Sequence, residues 1–203
     1  MAEGQTISSL QEVARRLDGA GIAWAVFAGA AAAVYGATRP VTDVDILVPV
    51  AEGTRAATLF PGALVERGQD GTVGWIQLPG FDILAGLARH DAEATYALDL
   101  DAEMAARLTH GEILGVTVPV IPPEDNILLK AMWGRGSEVG KHDWEDVQAM
   151  MAHLPALDWA YLRWRAAACG PQRRMEQVLA RLESLKHERS LGRRDDDRHA
   201  GDG

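Results

Sequence analysis

Apolar and polar positions along the chain follow two periods, one typical of helices and one of strands. Residues 8–18 repeat apolar side chains every three or four positions behind a Ser9/Glu12 capping-box pattern, which predicts an amphipathic helix. Further predicted helices cover residues 30–35, 51–60, 92–108 with a break near 98–101, 124–132, 143–151, 158–168 and 171–191. Predicted strands cover residues 22–28, 41–48, 72–78, 81–84 and 115–121. This alternation predicts an α/β (α+β) fold in which helices flank a small mixed sheet.

Composition and charge divide the chain into three predicted parts. We expect one α/β domain in residues 1–154, helices packed on it in residues 155–191, and a disordered tail in residues 192–203, which have no apolar anchor. The first part carries 10 Lys or Arg against 21 Asp or Glu, a charge of −11, whereas the second carries 7 against 4, a charge of +3. An acidic domain of this kind repels nucleic-acid phosphates over most of its surface.

The cysteine content and the longest uncharged stretch bear on location. The single Cys169 excludes an internal disulfide and fits a reducing compartment. No charged residue lies between Asp18 and Arg39, but this stretch is rich in Gly and Ala, so its hydrophobicity is too weak for a membrane span. The N-terminus is polar and then amphipathic, unlike a signal peptide. We therefore expect a cytoplasmic protein without a membrane anchor.

Two carboxylates mark the predicted strand at residues 41–48. Because successive side chains of a strand point to opposite faces, Asp43 and Asp45 lie on one face. Two adjacent like charges at the edge of a core repel each other unless a cation lies between them, and Mg²⁺ is the oxygen-seeking candidate. An Asp-x-Asp pair at the start of a strand is also typical of a turn or cap. The predicted hairpin across Pro79 and Gly80 brings Asp82 into the sheet beside this pair.

Several residues in order resemble the signature of the minimal nucleotidyltransferase family. The matching residues are Gly29, Ala30, Gly36, Arg39, Thr42, Asp43 and Asp45, followed by Asp82 as the third carboxylate. Lys130 and residues 142–146, including Asp143, look like a later region of the family's toxin-like and abortive-infection branches. The chain departs from the pattern twice, since Ala30 replaces a second Gly or Ser, and His142 stands where Lys is usual, with Lys141 adjacent.

The resemblance implies a Mg²⁺-dependent nucleotidyltransferase that moves a nucleoside monophosphate from an NTP to an acceptor hydroxyl. Asp43 and Asp45 would hold two Mg²⁺ ions, and Asp82 would ligate one ion and take the acceptor's proton. The remaining candidate nucleotide contacts are the backbone amides of Gly29 and Ala30 with Arg39, Thr42, Lys130 and Asp143. The acceptor is a small molecule, a protein or an RNA, and an antitoxin or a second copy of the chain are further candidate partners.

Each assignment has a structural alternative. Gly29 also suits close helix–strand packing, Arg39 suits a solvated loop, and Lys130 with Asp143 suits a surface salt bridge, which is the preferred interpretation of Asp143. For the whole chain the alternative is a non-catalytic module of the same fold that binds a nucleotide or a partner protein. If RNA is the acceptor, the C-terminal helices offer a patch of Arg163, Arg165, Arg173 and Arg174, although the charge of the first part favours a small or protein acceptor.

Overall fold

The computed structural model describes residues 9–90 and 95–199 of the chain. The strands are β1 Ala25–Phe27, β2 Val44–Val48, β3 Leu64–Arg67, β4 Val73–Leu78, β5 Phe81–Ala85, β6 Leu87–His90, β7 Thr95–Leu98, β8 Thr109–Ile113 and β9 Val116–Val120. The helices are α1 Leu10–Gly19, α2 Ala28–Val34, α3 Gly53–Thr58, α4 Ala102–Ala105, α5 Pro123–Trp133, α6 Asp143–His153, α7 Trp159–Cys169 and α8 Gln172–His199. Two short 3₁₀ turns cover Val50–Glu52 and Ser137–Val139.

A seven-stranded mixed sheet forms the centre of the molecule, with strand order β3-β4-β5-β2-β1-β9-β8. Strand β2 pairs with β5 in parallel and with β1 in the antiparallel sense, so it has a hydrogen-bonded partner on each side. Strands β4 and β5 form the predicted hairpin, and Gly80 in its turn has a φ of +80°, which glycine adopts readily. The predicted mixed α/β architecture is confirmed.

The core explains why the central strands are so apolar. One face of the sheet buries Val44 and Ile46 of β2 together with Ile83 of β5 and Ile76 of β4. Helix α1 begins as predicted, because the Ser9 hydroxyl accepts a hydrogen bond from the Glu12 amide. Its apolar side then joins the same hydrophobic cluster.

The prediction of a helix over residues 92–108 was wrong for the part before the predicted break near residues 98–101, whereas a short helix does follow that break. Strands β6 and β7 form a separate two-stranded sheet, the short helix α4 follows, and residues 91–94 lie outside the described part of the chain. Tyr96 and Leu98 are buried on either side of exposed Ala97, which is the two-residue period of a strand. Asp101 then caps α4 by accepting from the Met104 amide. Pairing and burial thus override the helix propensity of the Ala- and Glu-rich sequence.

The C-terminal helices pack on the rest of the molecule through α5. Helices α7 and α8 both contact α5, and their buried residues Leu162, Met175 and Leu182 belong to the same hydrophobic cluster as the sheet. Helix α8 continues to His199, through most of the tail predicted as disordered, while residues 200–203 lie outside the described ranges. A helix that is already anchored gains one hydrogen bond for each residue it adds, which permits this extension. The division of the chain at residues 154 and 191 stays a prediction.

Within the described ranges, no helix is both long enough and apolar enough to cross a membrane.

Candidate active site

Three carboxylates meet at one end of β2. Asp45 and Asp82 are direct register partners across the parallel pair β2 and β5, and Asp43 immediately precedes β2. Each of the three side chains offers an oxygen within 4.8 Å of the other two, a spacing that suits a shared cation. The sequence prediction that these three aspartates lie together is therefore confirmed by the sheet register.

Burial and mutual repulsion dominate the electrostatics of these three carboxylates. Burial raises the pKa of Asp45 to about 6, and the charges of Asp43 and Asp82 add to the effect while Lys141 and Lys130 oppose it. The Oδ1 atom of Asp82 is buried and has no hydrogen-bond partner within the described residues. A divalent cation bound by these oxygens would give Asp82 Oδ1 a partner and relieve the repulsion, so the three side chains fit a Mg²⁺ site.

A second group of charges lies opposite the carboxylates, where α5 meets α6. Lys130 of α5 is buried, with Nζ 2.7 Å from Asp146 Oδ2 and 3.3 Å from Asp143 Oδ1. Both aspartates project from the first turn of α6 and are themselves buried. The predicted salt bridge between Lys130 and Asp143 is therefore confirmed, but its predicted surface location is wrong, because the close packing of α5 on α6 removes all three side chains from solvent.

Two arginines join the same carboxylates from the solvent side. Arg39 binds Asp146 through two hydrogen bonds, Nε to Oδ1 at 3.1 Å and Nη2 to Oδ2 at 2.8 Å. Arg135 donates from Nε to Asp143 Oδ2 at 2.8 Å. Burial acts to raise the pKa of Asp146, but the hydrogen bonds from Arg39 and Lys130 outweigh it and hold the pKa below its usual value. Arg39 thus forms an ion pair with Asp146 while its side chain stays 45% exposed, in keeping with the solvated loop position that the sequence also allowed.

The first turn of α2, which follows β1 directly, forms another wall of the site. Gly29 borders the cleft, whereas Ala30 is fully buried in the core. Thr42 donates its hydroxyl to Asp43 Oδ1 at 2.9 Å. Asn126 of α5 forms hydrogen bonds with both main-chain polar groups of Ala28. Its Oδ1 accepts from the Ala28 amide at 2.8 Å, and its Nδ2 donates to the Ala28 carbonyl at 3.1 Å.

These walls enclose one cleft of about 280 Å³. Its lining includes the predicted residues Gly29, Arg39, Thr42, Asp43, Asp45, Asp82, Lys130 and Asp143. Arg135, Lys141 and Asp146 also line it, and the sequence analysis assigned them no role. A cleft with anionic and cationic walls can hold a metal ion beside a polyphosphate. For two of the residues without an assigned role, Asp146 and Asn126, the sequence offered only a weak signal. Asp146 lies one helical turn after the candidate Asp143, and Asn126 lies one turn before the candidate Lys130 on α5.

The predicted arginine patch on the C-terminal helices does not form as expected. Arg165 is buried, where it forms ion pairs with Asp101 and Asp125, and Arg163 pairs with Glu183 at 2.6 Å. The Arg165 side chain extends from α7 toward Asp125 of α5 and is buried there, so it is unavailable to an RNA backbone. The prediction that Arg165 contributes to such a patch was therefore wrong.

Comparisons with known proteins agree with this architecture. Neither the protein-family models nor the curated proteins contain a match to the chain. Among solved structures, ANT(2")-Ia in complex with adenylyl-2"-tobramycin is similar with a TM-score of 0.52 and 14% identity, over 86% of this chain and 95% of that one. An antigenic nucleotidyltransferase-like protein from Paracoccidioides brasiliensis is similar with a TM-score of 0.51 and 19% identity, over 90% and 92% of the two chains.

Identities this low establish similarity of fold and leave activity open. Both neighbours match the present chain over most of their own length, so the similarity covers the sheet and the helices around it. Together with the mixed sheet and its register, these neighbours show that the chain has the nucleotidyltransferase fold.

Proposed function

We propose that this protein is a Mg²⁺-dependent nucleotidyltransferase that moves a nucleoside monophosphate from an NTP to the hydroxyl of a small-molecule acceptor. The observation that carries the proposal is the cluster of Asp43, Asp45 and Asp82, whose oxygens lie within 4.8 Å of one another on the wall of a cleft. Phosphoryl-group transfer depends mainly on positioning and charge stabilisation, and this cleft offers groups for both.

In the proposed site Asp43 and Asp45 would hold two Mg²⁺ ions, and Asp82 would ligate one of them. The bound ions would neutralise charge on the phosphates and align the acceptor with the leaving group. Two properties of the site support this assignment, namely the buried Oδ1 of Asp82, which has no hydrogen-bond partner among the described residues, and the pKa of Asp45, which burial raises to about 6. Both describe carboxylates that a cation would stabilise.

The proposed reaction is a displacement at the α-phosphorus. The acceptor oxygen forms a bond to that phosphorus, the bond from it to the α–β bridging oxygen breaks, and pyrophosphate leaves with the electron pair. Asp82 takes the proton of the acceptor hydroxyl and releases it to solvent. Lys130, Arg39 and Lys141 would attract the triphosphate, since all three line the cleft.

The remaining candidate residues would have supporting roles in the proposed site. The amide of Gly29 would face the nucleotide phosphates, and Ala30 would support it from the core. Thr42 would orient Asp43 through their hydrogen bond, and Asp143 would act indirectly by holding Lys130 and Arg135. The buried position of Ala30 supports this division of roles, because its methyl group packs among core residues.

The acceptor class follows from charge and size. The cleft measures about 280 Å³, the first 154 residues carry a charge of −11, and Arg165 is buried. These properties favour a small molecule over an RNA. The structural neighbour ANT(2")-Ia was solved with adenylyl-2"-tobramycin, a nucleotidylated small molecule, which supports the same class. A toxin-like protein or RNA target, an antitoxin partner, a homo-oligomer and a cytoplasmic location rest on the sequence alone.

The proposal is tested by nucleotide transfer with purified protein. Each of the four NTPs, labelled at the α-phosphate, is incubated with Mg²⁺ and a panel of hydroxyl-bearing small molecules, and product is followed by chromatography and mass spectrometry. We expect Mg²⁺-dependent transfer with release of pyrophosphate, and its loss in Asp82→Asn. The matched control is Asp70→Asn, because the exposed Asp70 carboxylate binds only Thr72 of its own turn among the contacts described.

Three other outcomes would contradict the proposal. Equal transfer by the parent and Asp82→Asn would show that the cluster is not catalytic. Metal-dependent nucleotide binding without turnover on any acceptor would indicate the non-catalytic binding module instead. Labelling of RNA or of a protein, in preference to the small molecules, would reassign the acceptor and favour the toxin-like branch.

A further inference from the structure

The chain turns from β1 into α2 through a residue in an unusual conformation. Ala28 has a φ of +56°, in the left-handed region where a side chain with a Cβ atom is strained. Glycine adopts this region freely, yet the glycine of this turn is the next residue, Gly29. Such strain persists only where surrounding contacts hold it in place.

Asn126 supplies those contacts. Its side chain is completely buried on α5, its Oδ1 accepts a hydrogen bond from the Ala28 amide at 2.8 Å, and its Nδ2 donates to the Ala28 carbonyl at 3.1 Å. A carboxamide is suited to this pair of bonds because it carries one acceptor and one donor side by side. An aspartate of the same shape would place an oxygen against the Ala28 carbonyl, and an apolar residue would remove the acceptor of the buried Ala28 amide.

The clamped residue lies beside the candidate metal ligands. Phe27, Ala28 and Gly29 all line the cleft, and Phe27 is the register partner of Asp45 across β1 and β2. The conformation of Ala28 sets the direction in which the chain leaves β1, and hence where the Gly29 backbone lies relative to Asp45. A relaxed Ala28 would re-aim that backbone while the carboxylates stayed on their strands.

We propose that Asn126 is a positioning residue for nucleotide binding, which acts by holding Ala28 in the left-handed conformation and thereby fixing the cleft wall at Gly29. The inference rests on the proposed function for the identity of the ligand. It assigns Asn126 no contact with the nucleotide. The effect of Asn126 on nucleotide binding therefore depends on the backbone of Ala28, and a second substitution at residue 28 can compensate for the loss of Asn126.

The test compares four full-length variants with the parent: Asn126→Ala, Ala28→Gly, the double variant, and Tyr161→Phe. The last is the control for general destabilisation, since the Tyr161 hydroxyl is buried and donates to Asp125 Oδ2 at 2.7 Å. Binding of ATP, GTP, CTP and UTP with Mg²⁺ is measured by titration, and KM and kcat are measured for the NTP that supports transfer. Crystal structures of the nucleotide-free parent and Asn126→Ala report φ at residue 28.

We expect Asn126→Ala to raise the KM and the dissociation constant of the NTP about tenfold, with a smaller change in kcat, and to show Ala28 at negative φ. Ala28→Gly in the same chain should restore most of the affinity, because glycine occupies the left-handed region without strain. Tyr161→Phe should lower the melting temperature and leave KM unchanged.

Retention of positive φ at Ala28 in Asn126→Ala would overturn the inference, whatever the nucleotide results. Failure of Ala28→Gly to rescue the double variant, or an equal rise in KM in Tyr161→Phe, would reduce Asn126 to a packing role and also overturn it. If the parent binds none of the four NTPs, the proposed function fails and the nucleotide part of the inference is overturned with it. The crystal structures then decide separately whether Asn126 sets the turn.

Discussion

Replacing Asp45 by Asn should stabilise the metal-free protein at neutral pH. In the folded chain, burial and the charges of Asp43 and Asp82 raise the pKa of Asp45 from 3.8 to about 6. An acid whose pKa is raised by folding binds its proton more tightly in the native state than in the unfolded state. The ionised form therefore opposes folding, and the asparagine variant lacks that ionised form at every pH.

The size of the effect follows from the shift. One pKa unit corresponds to about 1.4 kcal/mol, so a rise from 3.8 to about 6 corresponds to an upper value of about 3 kcal/mol. Asp45 keeps some contact with solvent, which reduces the electrostatic penalty, and we expect about 2 kcal/mol. The penalty is absent below about pH 4, grows as the pH rises from about 4 to about 6, and is constant above that range.

The measurement is urea denaturation of the parent and Asp45→Asn in EDTA, at intervals between pH 4 and pH 8. The free energy of unfolding of the variant should exceed that of the parent by about 2 kcal/mol at pH 7, and the two should converge at pH 4. Other titrating groups, including Asp125, are present in both proteins, so their contributions cancel to first order in the difference. In a melting experiment the same difference is worth roughly 4–8 °C for a chain of this size.

A variant that is less stable than the parent at pH 7 would refute the reasoning, because it would show that ionised Asp45 is stabilised in the metal-free fold. A difference of the same size at pH 4 and pH 7 would also refute it, since a change in packing rather than in charge would then be responsible.

Three further predictions concern ligand binding and packing. Mg²⁺ plus NTP should raise the melting temperature of the parent but not of Asp43→Asn, and equal rises would show that this carboxylate does not bind the ligand complex. Asp146→Asn should lower the free energy of unfolding by about 3 kcal/mol in urea, because buried Lys130 loses its nearest carboxylate; a loss under about 0.5 kcal/mol would contradict this. Gly53→Ala should lower the free energy of unfolding by about 2 kcal/mol, because the new Cβ would lie 2.6 Å from a backbone oxygen of β4. Gly74→Ala is the control, since a Cβ there has open space within 4 Å among the described residues. Equal melting temperatures of the two variants would contradict the packing argument.

Short-range patterns predicted where the three aspartates lie on their strands, while the pairing that joins those strands is long-range. Asp43 and Asp45 share a face through the two-residue period of a strand, and Pro79 with Gly80 marks the turn from β4 into β5, the strand that carries Asp82. Each of these signals is contained in a few consecutive residues. The structure then added the register that sets Asp45 directly beside Asp82.

The sequence failed where local propensity and tertiary pairing disagreed. Residues 92–108 have the Ala and Glu content of a helix, but Tyr96 and Leu98 gain more by burial in the β6 and β7 pair. Strand β3 was missed for a related reason, since its side chains are largely exposed and it is held by main-chain pairing with β4 rather than by an apolar pattern. Backbone hydrogen bonds of this kind leave little trace in the identity of the side chains.

By itself, the sequence determined the mixed α/β class, most of the helices and strands, and the three aspartates of the candidate site. Only the tertiary structure decided how the other walls of the cleft are built, because their contacts join residues far apart in the chain. Arg39 meets Asp146 across a separation of 107 residues, and Asn126 meets Ala28 across 98. Spacing along a helix or strand carries no information about such pairs, whose partners meet only when α5 and α6 pack beside the turn that follows β1.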